Sequence, residues 1–139
     1  MFDDCIYFNL ATLSRQITKI WNDEFAVLGL APSHGYVLAA LTENPDASQK
    51  ALSEIMELDA STITRFIDAL ANKKLIEKNG IGKGARYTIT PEGQALSQQI
   101  YKRMGRLYAD MQSTFGKRSF SNFVTGLRAA KQTLQEAYQ

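Results

Sequence analysis

Residues 48–93 read SQKALSEIMELDASTITRFIDALANKKLIEKNGIGKGARYTITPEG, and three changes of pattern within them decide the fold. Ser48 is an N-cap residue type placed just ahead of Leu52, Ile55 and Met56, which stand at i, i+3 and i+4 on one face of a short helix. Asp59 then caps a second helix, in which Ile63, Phe66, Ile67 and Leu70 repeat the helical spacing and leave a polar opposite side. From Leu75 to Thr90 the period drops to two: Ala85, Tyr87 and Ile89 alternate with Arg86, Thr88 and Thr90, as in a half-buried strand. Gly80, Gly82 and Gly84 supply the reversal, so two short strands form a hairpin. Thr90-Pro91-Glu92 restarts a helix, with a capping Thr, a Pro suited to the first helical position and an acid suited to the positive end of the dipole.

Working outward, Ile6, Leu10, Leu13, Ile17, Ile20 and Trp21 recur three or four apart and predict a long first helix from Ile6 to about Phe25. Gly29, Pro32 and Ser33 interrupt it. Ser33 is the expected cap of a second helix that buries Val37, Leu38 and Leu41 and ends at Asn44-Pro45-Asp46. Beyond the hairpin, Leu96, Ile100, Met104, Leu107, Met111 and Phe115 form one apolar stripe that Gly116 closes. Phe120, Phe123, Val124, Leu127 and Leu134 mark a last helix. The expected fold class is mainly α with one small β-hairpin, in a single domain without internal repeats or linkers.

The 139 residues, 45% hydrophobic and 22% charged, describe an ordinary globular chain able to bury a core. The start, Met1-Phe2-Asp3-Asp4-Cys5, is acidic where a secretory signal is basic, and no apolar run approaches the roughly 18 residues of a membrane span. A cytoplasmic protein that contacts no membrane is expected. One Cys5 and one His34 provide no cluster with metal-ligand spacing, no Ser/His/Asp or Cys/His arrangement and no base to activate Cys5, so metal, cofactor and enzymatic roles are not expected. Gly80-Ile81-Gly82-Lys83-Gly84 lacks the fingerprint of a nucleotide-binding loop and is accounted for by the hairpin tip.

The net charge of +2 says little, but its distribution is uneven. Asp3, Asp4, Asp23, Glu24, Glu43 and Asp46 outnumber Arg15 and Lys19 before Ala47, whereas Lys73, Lys74, Lys78, Lys83 and Arg86 face Glu77 alone. Two short helices joined by a tight turn and followed by a basic hairpin are the parts with which a winged helix-turn-helix holds duplex DNA. Ser61, Thr62, Thr64 and Arg65 occupy the exposed side of the second of these helices. The three hydroxyls permit close approach, and Arg65 is a bidentate donor suited to a base edge. Lys83 and Arg86 on the hairpin suit the phosphate backbone or a minor groove. The plainer alternative for Arg65 is a solvated residue paired with Asp68 or with an acid from elsewhere in the chain, and for the hairpin cations a soluble surface. The apolar stripes of the first and last helices exceed what one small lobe covers, so Ile6, Leu10, Leu13, Phe123, Leu127 and Leu134 are expected in a homodimer interface.

Taken in order, Gly29-Leu30-Ala31-Pro32-Ser33-His34, Ala51-Leu52-Ser53-Glu54-Ile55, Asp59-Ala60-Ser61-Thr62-Ile63-Thr64-Arg65, Leu70, Leu75-Ile76-Glu77-Lys78 and Ile89-Thr90-Pro91-Glu92-Gly93 give a sequence that resembles the MarR family of bacterial regulators over nearly its whole length. The resemblance implies a DNA-binding lobe at about 33–90 and dimerisation helices at about 3–27 and 91–138. It also implies a small-effector site between the two, and a regulator, most often a repressor, on a pseudo-palindromic operator. The chain departs from the family at the wing, where a frequent Asp-x-Arg is replaced by Ile81-Gly82-Lys83 in a shorter hairpin. Lys83 keeps the charge without the planar fork of arginine, which leaves it a phosphate role. Cys5 is similar in position to the oxidised cysteine of the family's peroxide-sensing branch, with Tyr7 and Tyr36 as candidate thiolate partners. The other reading of Cys5 is a small buried hydrophobe beside Ile6. His34 is read either as an effector contact or as a structural residue at the start of the second helix. The rival function for the whole chain is a protein-interaction module that keeps the fold but not DNA binding.

Overall fold

The computed structural model describes residues 1–80 and 84–139, which form α1 (Ile6–Ala26), α2 (Pro32–Glu43), α3 (Gln49–Met56), α4 (Ala60–Asn72), β1 (Ile76–Asn79), β2 (Arg86–Ile89), α5 (Pro91–Phe115) and α6 (Lys117–Ala137). Lys83, together with Ile81 and Gly82, lies outside the described residues. The described residues thus give the mainly helical architecture with a two-stranded hairpin that the sequence implied.

Two of the expected helix caps form and one does not. The Ser48 hydroxyl accepts from the Ala51 N–H at 3.1 Å, and the Asp59 carboxylate accepts from the Thr62 N–H at 2.8 Å. Ser33 is not a cap. Ala31 occupies that position and Pro32 the first helical one, because proline has no N–H to be satisfied and its fixed φ already suits the helix. The turn between α3 and α4 is closed by Glu57 at φ 54°, a left-handed conformation more often given to glycine, with the Leu58 N–H reaching back to the Ser53 carbonyl at 3.1 Å.

The chain divides into two compact units, Met1–Arg103 and Met104–Gln139, with α5 running through the boundary. In the first, α2 packs against α1, α3, α4 and β2, and its Val37, Leu38 and Leu41 are buried with Phe25, Leu52, Ile63 and Leu70. The α3 stripe is narrower than its spacing implied: Leu52 is buried, Met56 half-buried and Ile55 48% exposed, since a helix of eight residues turns only a short face inward. A half-buried pair, Arg103 with Glu24 at 3.1 Å, ties α5 to α1, and Tyr101 donates to Glu43 at 2.7 Å to tie α5 to α2. In the second unit Tyr108 meets Phe120 edge-on and Phe115 stacks on Phe123, while α6 buries no residue. No described helix is long and apolar enough to cross a membrane.

β1 and β2 pair antiparallel, with Ile76 opposite Ile89 and Asn79 opposite Arg86. Ala85 and Tyr87 are buried and Ile89 half-buried, as the alternation predicted. Thr90 departs from it and is buried, because its hydroxyl donates to the Lys74 carbonyl at 2.7 Å and accepts from the Gly93 N–H at 3.1 Å. That bond draws the first turn of α5 onto the end of α4. A Cβ at Gly93 would stand 2.1 Å from the Leu75 carbonyl oxygen and 2.8 Å from the Ile89 methyl. Gly93→Ala is therefore expected to lower stability by about 1–3 kcal/mol through overpacking against backbone, read as a drop in the urea midpoint.

Candidate nucleic-acid interface

The outer side of α4 is set by its cap. Asp59 receives the Thr62 N–H and, at 2.9 Å, the Ser61 hydroxyl. Hydrogen bonds from the Thr62 side chain and N–H, then from Ser61, hold its carboxyl below the usual range, with the Arg65 charge adding to the effect. The acid is thus fixed as an anion at the positive end of the helix dipole. Ser61, Thr64 and Arg65 are exposed and Thr62 is half-buried. Arg65 forms no salt bridge among the described residues, so the pair with Asp68 is not made, and the acid that feels its charge is Asp59.

The hydroxyls are less free than their exposure suggests. Ser61 gives its hydrogen to Asp59, and Thr64 gives its own to the Ala60 carbonyl at 2.9 Å. Gln49, the first residue of α3, donates its amide N–H to the same carbonyl at 3.0 Å and also to Thr64 Oγ1. This clasp between α3 and α4 joins residues 15 apart and was missed by sequence reasoning, which has no rule pairing an exposed glutamine with a threonine on the next helix.

Arg86 stands exposed on β2, opposite Asn79. Between it and the helix pair lies an open cleft of about 710 Å³ bordered by Ser48, Gln49, Lys50, Ala60, Gly84 and Arg86. Cations thus stand on both banks, Lys50 on α3 and Arg86 on the strand. Lys50 was not singled out from the sequence because its neighbours in the chain carry no basic run.

The remaining candidates divide. His34, on α2, lies with its ring 4.7 Å from that of Phe66 on α4 and is half-buried, a structural link between the two helices. Burial, then the charge of Lys73, lowers its pKa below 6.5. An imidazole harder to protonate when folded leaves the unfolded state binding more protons below pH 6.5, so stability falls as pH drops through that window. His34→Phe keeps the ring contact and removes the titration. It is expected to show a smaller loss of melting temperature than the parent between pH 7 and 5.5.

Tyr36 accepts a hydrogen bond from Trp21 Nε1 at 3.0 Å and stacks on Phe25, joining α1 to α2. Trp21 follows Cys5 by 16 residues, about 24 Å along a helix, so Tyr36 is no partner for the thiolate of its own chain. Tyr7 is exposed and two residues from Cys5, a spacing that puts the two on different faces of α1. Cys5 itself is exposed in the single chain, at the N-cap position of α1 and next to Ile6. Beside Tyr36, a cleft of about 440 Å³ runs between α1 and α2, with Ile17, Trp21, Pro32 and Tyr36 on its walls.

The expected interface residues are uncovered in the single chain. Ile6 is 73% exposed, Leu10, Phe123, Leu127 and Leu134 are exposed, and Leu13 is half-buried.

Residues 28–86 match the sequence profile of the MarR family, a span that contains α2, α3, α4 and the first strand. The chain has the fold of solved members of that family. A MarR regulator from Listeria monocytogenes complexed with a 26mer DNA is 24% identical, with 95% of this chain and 90% of that one covered at a TM-score of 0.78. The S. aureus MepR–DNA complex is 13% identical, with 93% and 97% covered at 0.83. The repressor CouR bound to p-coumaroyl-CoA is 16% identical, with 94% of each chain covered at 0.85. No curated protein sequence matches the chain.

Proposed function

We propose that this chain, with its MarR-family segment and its regulator fold, is a sequence-specific DNA-binding transcription repressor that acts as a homodimer on a pseudo-palindromic operator. The observation that carries the reading is α4: a capped helix, exposed on its Ser61, Thr64 and Arg65 side, with a guanidinium that forms no salt bridge among the described residues and Arg86 on the neighbouring strand. In a major groove Arg65 offers a fork to guanine O6 and N7, while Lys50, Lys83 and Arg86 serve phosphates. Asp59 keeps the approaching end of the helix rigid, and the DNA complexes of similar fold support the same use of the lobe.

The homodimer reading is supported by the exposed apolar residues at the start of α1 and along α6, which a second copy would remove from water. Two copies related by a two-fold axis present two recognition helices, which read half-sites about 34–36 Å apart. A small effector with an apolar body fits the cleft between α1 and α2, whose volume is that of an ordinary ligand pocket. The Trp21–Tyr36 bond crosses that cleft's wall, so a ligand seated there acts on the helix that carries His34 and, through it, α4. The ligand-bound relative of similar fold supports release by a small molecule.

Electrophoretic shift on the promoter DNA flanking the protein's own gene tests the DNA reading. A band that survives excess random duplex is expected. An interaction module that has lost DNA binding gives no such band.

A further inference from the structure

We infer that Thr64 recognises a thymine of the operator through its methyl group, with Gln49 as the residue that positions it for this. The inference rests on the reading of α4 as the groove-entering helix and adds which chemistry one of its positions uses. The Ala60 carbonyl can only accept, and the Gln49 amide nitrogen lies 3.0 Å from it, so the amide must turn its N–H side toward α4. The same nitrogen reaches Thr64 Oγ1, which therefore accepts there. Thr64's own hydrogen goes to the Ala60 carbonyl at 2.9 Å.

The hydroxyl thus has no hydrogen left for a base acceptor, and one of its two lone pairs is occupied. Its oxygen is drawn back toward the preceding turn and held by the glutamine. Staggering about Cα–Cβ sends the methyl group to a different position, and the residue is exposed. What Thr64 offers outward is an apolar methyl rather than a hydroxyl. Among the four bases, thymine alone presents a methyl group in the major groove, and contact with it needs no hydrogen bond. The adjacent Arg65 carries donors only, so two neighbouring residues read by different means.

The test uses the full chain and a duplex it selects from a random pool, with each thymine replaced in turn by deoxyuridine, which removes the methyl and nothing else. One thymine per half-site is expected whose replacement weakens binding about fourfold, the factor corresponding to one buried methyl group. Thr64→Val loses the hydroxyl that Gln49 holds, but the stiff helical rotamer of valine keeps a methyl in place without it, and it should retain this discrimination. Thr64→Ser keeps the hydroxyl and loses the methyl, and should bind both duplexes equally. Gln49→Ala should lower the thymine-to-uracil ratio at that position, and an unchanged ratio would remove Gln49 from the account. Specific binding with no thymine-methyl dependence at any position, or its retention in Thr64→Ser, overturns the inference while the DNA-binding function stands. Failure to select any duplex from the pool overturns both.

Discussion

Leu127→Asp or Leu134→Asp is expected to turn the proposed dimer into monomers at micromolar concentration and to weaken operator binding by about 10²–10⁴-fold, the advantage that linking two binding modules confers. Both leucines lie exposed on α6, a helix that buries no residue in the single chain. In a dimer interface a carboxylate there would have to lose its water without a partner, which costs far more than the mutation gains in solubility. Each α4 would then meet its half-site alone. Sedimentation and DNA titration on the same samples measure the two effects together, and a parent chain that sediments as a monomer would defeat the dimer assignment.

Arg65→Ala carries the second large effect. It is expected to cost about 1–3 kcal/mol on the cognate duplex, or about 5- to 150-fold, and much less on random DNA. The reason lies in what the side chain already does: it is exposed, forms no salt bridge among the described residues, and sits about two turns from the end of the helix that Asp59 anchors. Arg86→Ala should differ. A phosphate contact carries no base information, so both duplexes should weaken by similar factors and the salt slope should fall by about one. Titrations at several salt concentrations separate the two kinds of contact. Equal weakening of both duplexes by Arg65→Ala would remove it as a base reader.

Much of this was legible in the sequence where the controlling physics is local. Asp59, Ser48 and Thr90 each satisfy an N–H three residues ahead, so a four-residue window contains the whole interaction. The apolar spacing of α4 and the alternation of β2 are local in the same sense. Ser33 failed as a cap because the neighbouring proline competes for the same stretch of chain and wins by geometry. Ile55 failed as a core residue because spacing gives the direction of a face but not its width. The roles of His34 and Tyr36 depend on Phe66 and Trp21, 32 and 15 residues away, and no periodicity encodes those encounters. Gln49 is the clearest case: its clasp on Thr64 changes what the outer side of α4 can offer, yet in sequence it is only a polar residue at the start of a helix.

Genomic footprinting of the bound sites tests the central claim most directly. The account predicts protected regions that contain an inverted repeat, with half-sites about one helical turn apart on the same face of the duplex. Protection without a shared repeat, or no protection above the genomic background, would contradict it.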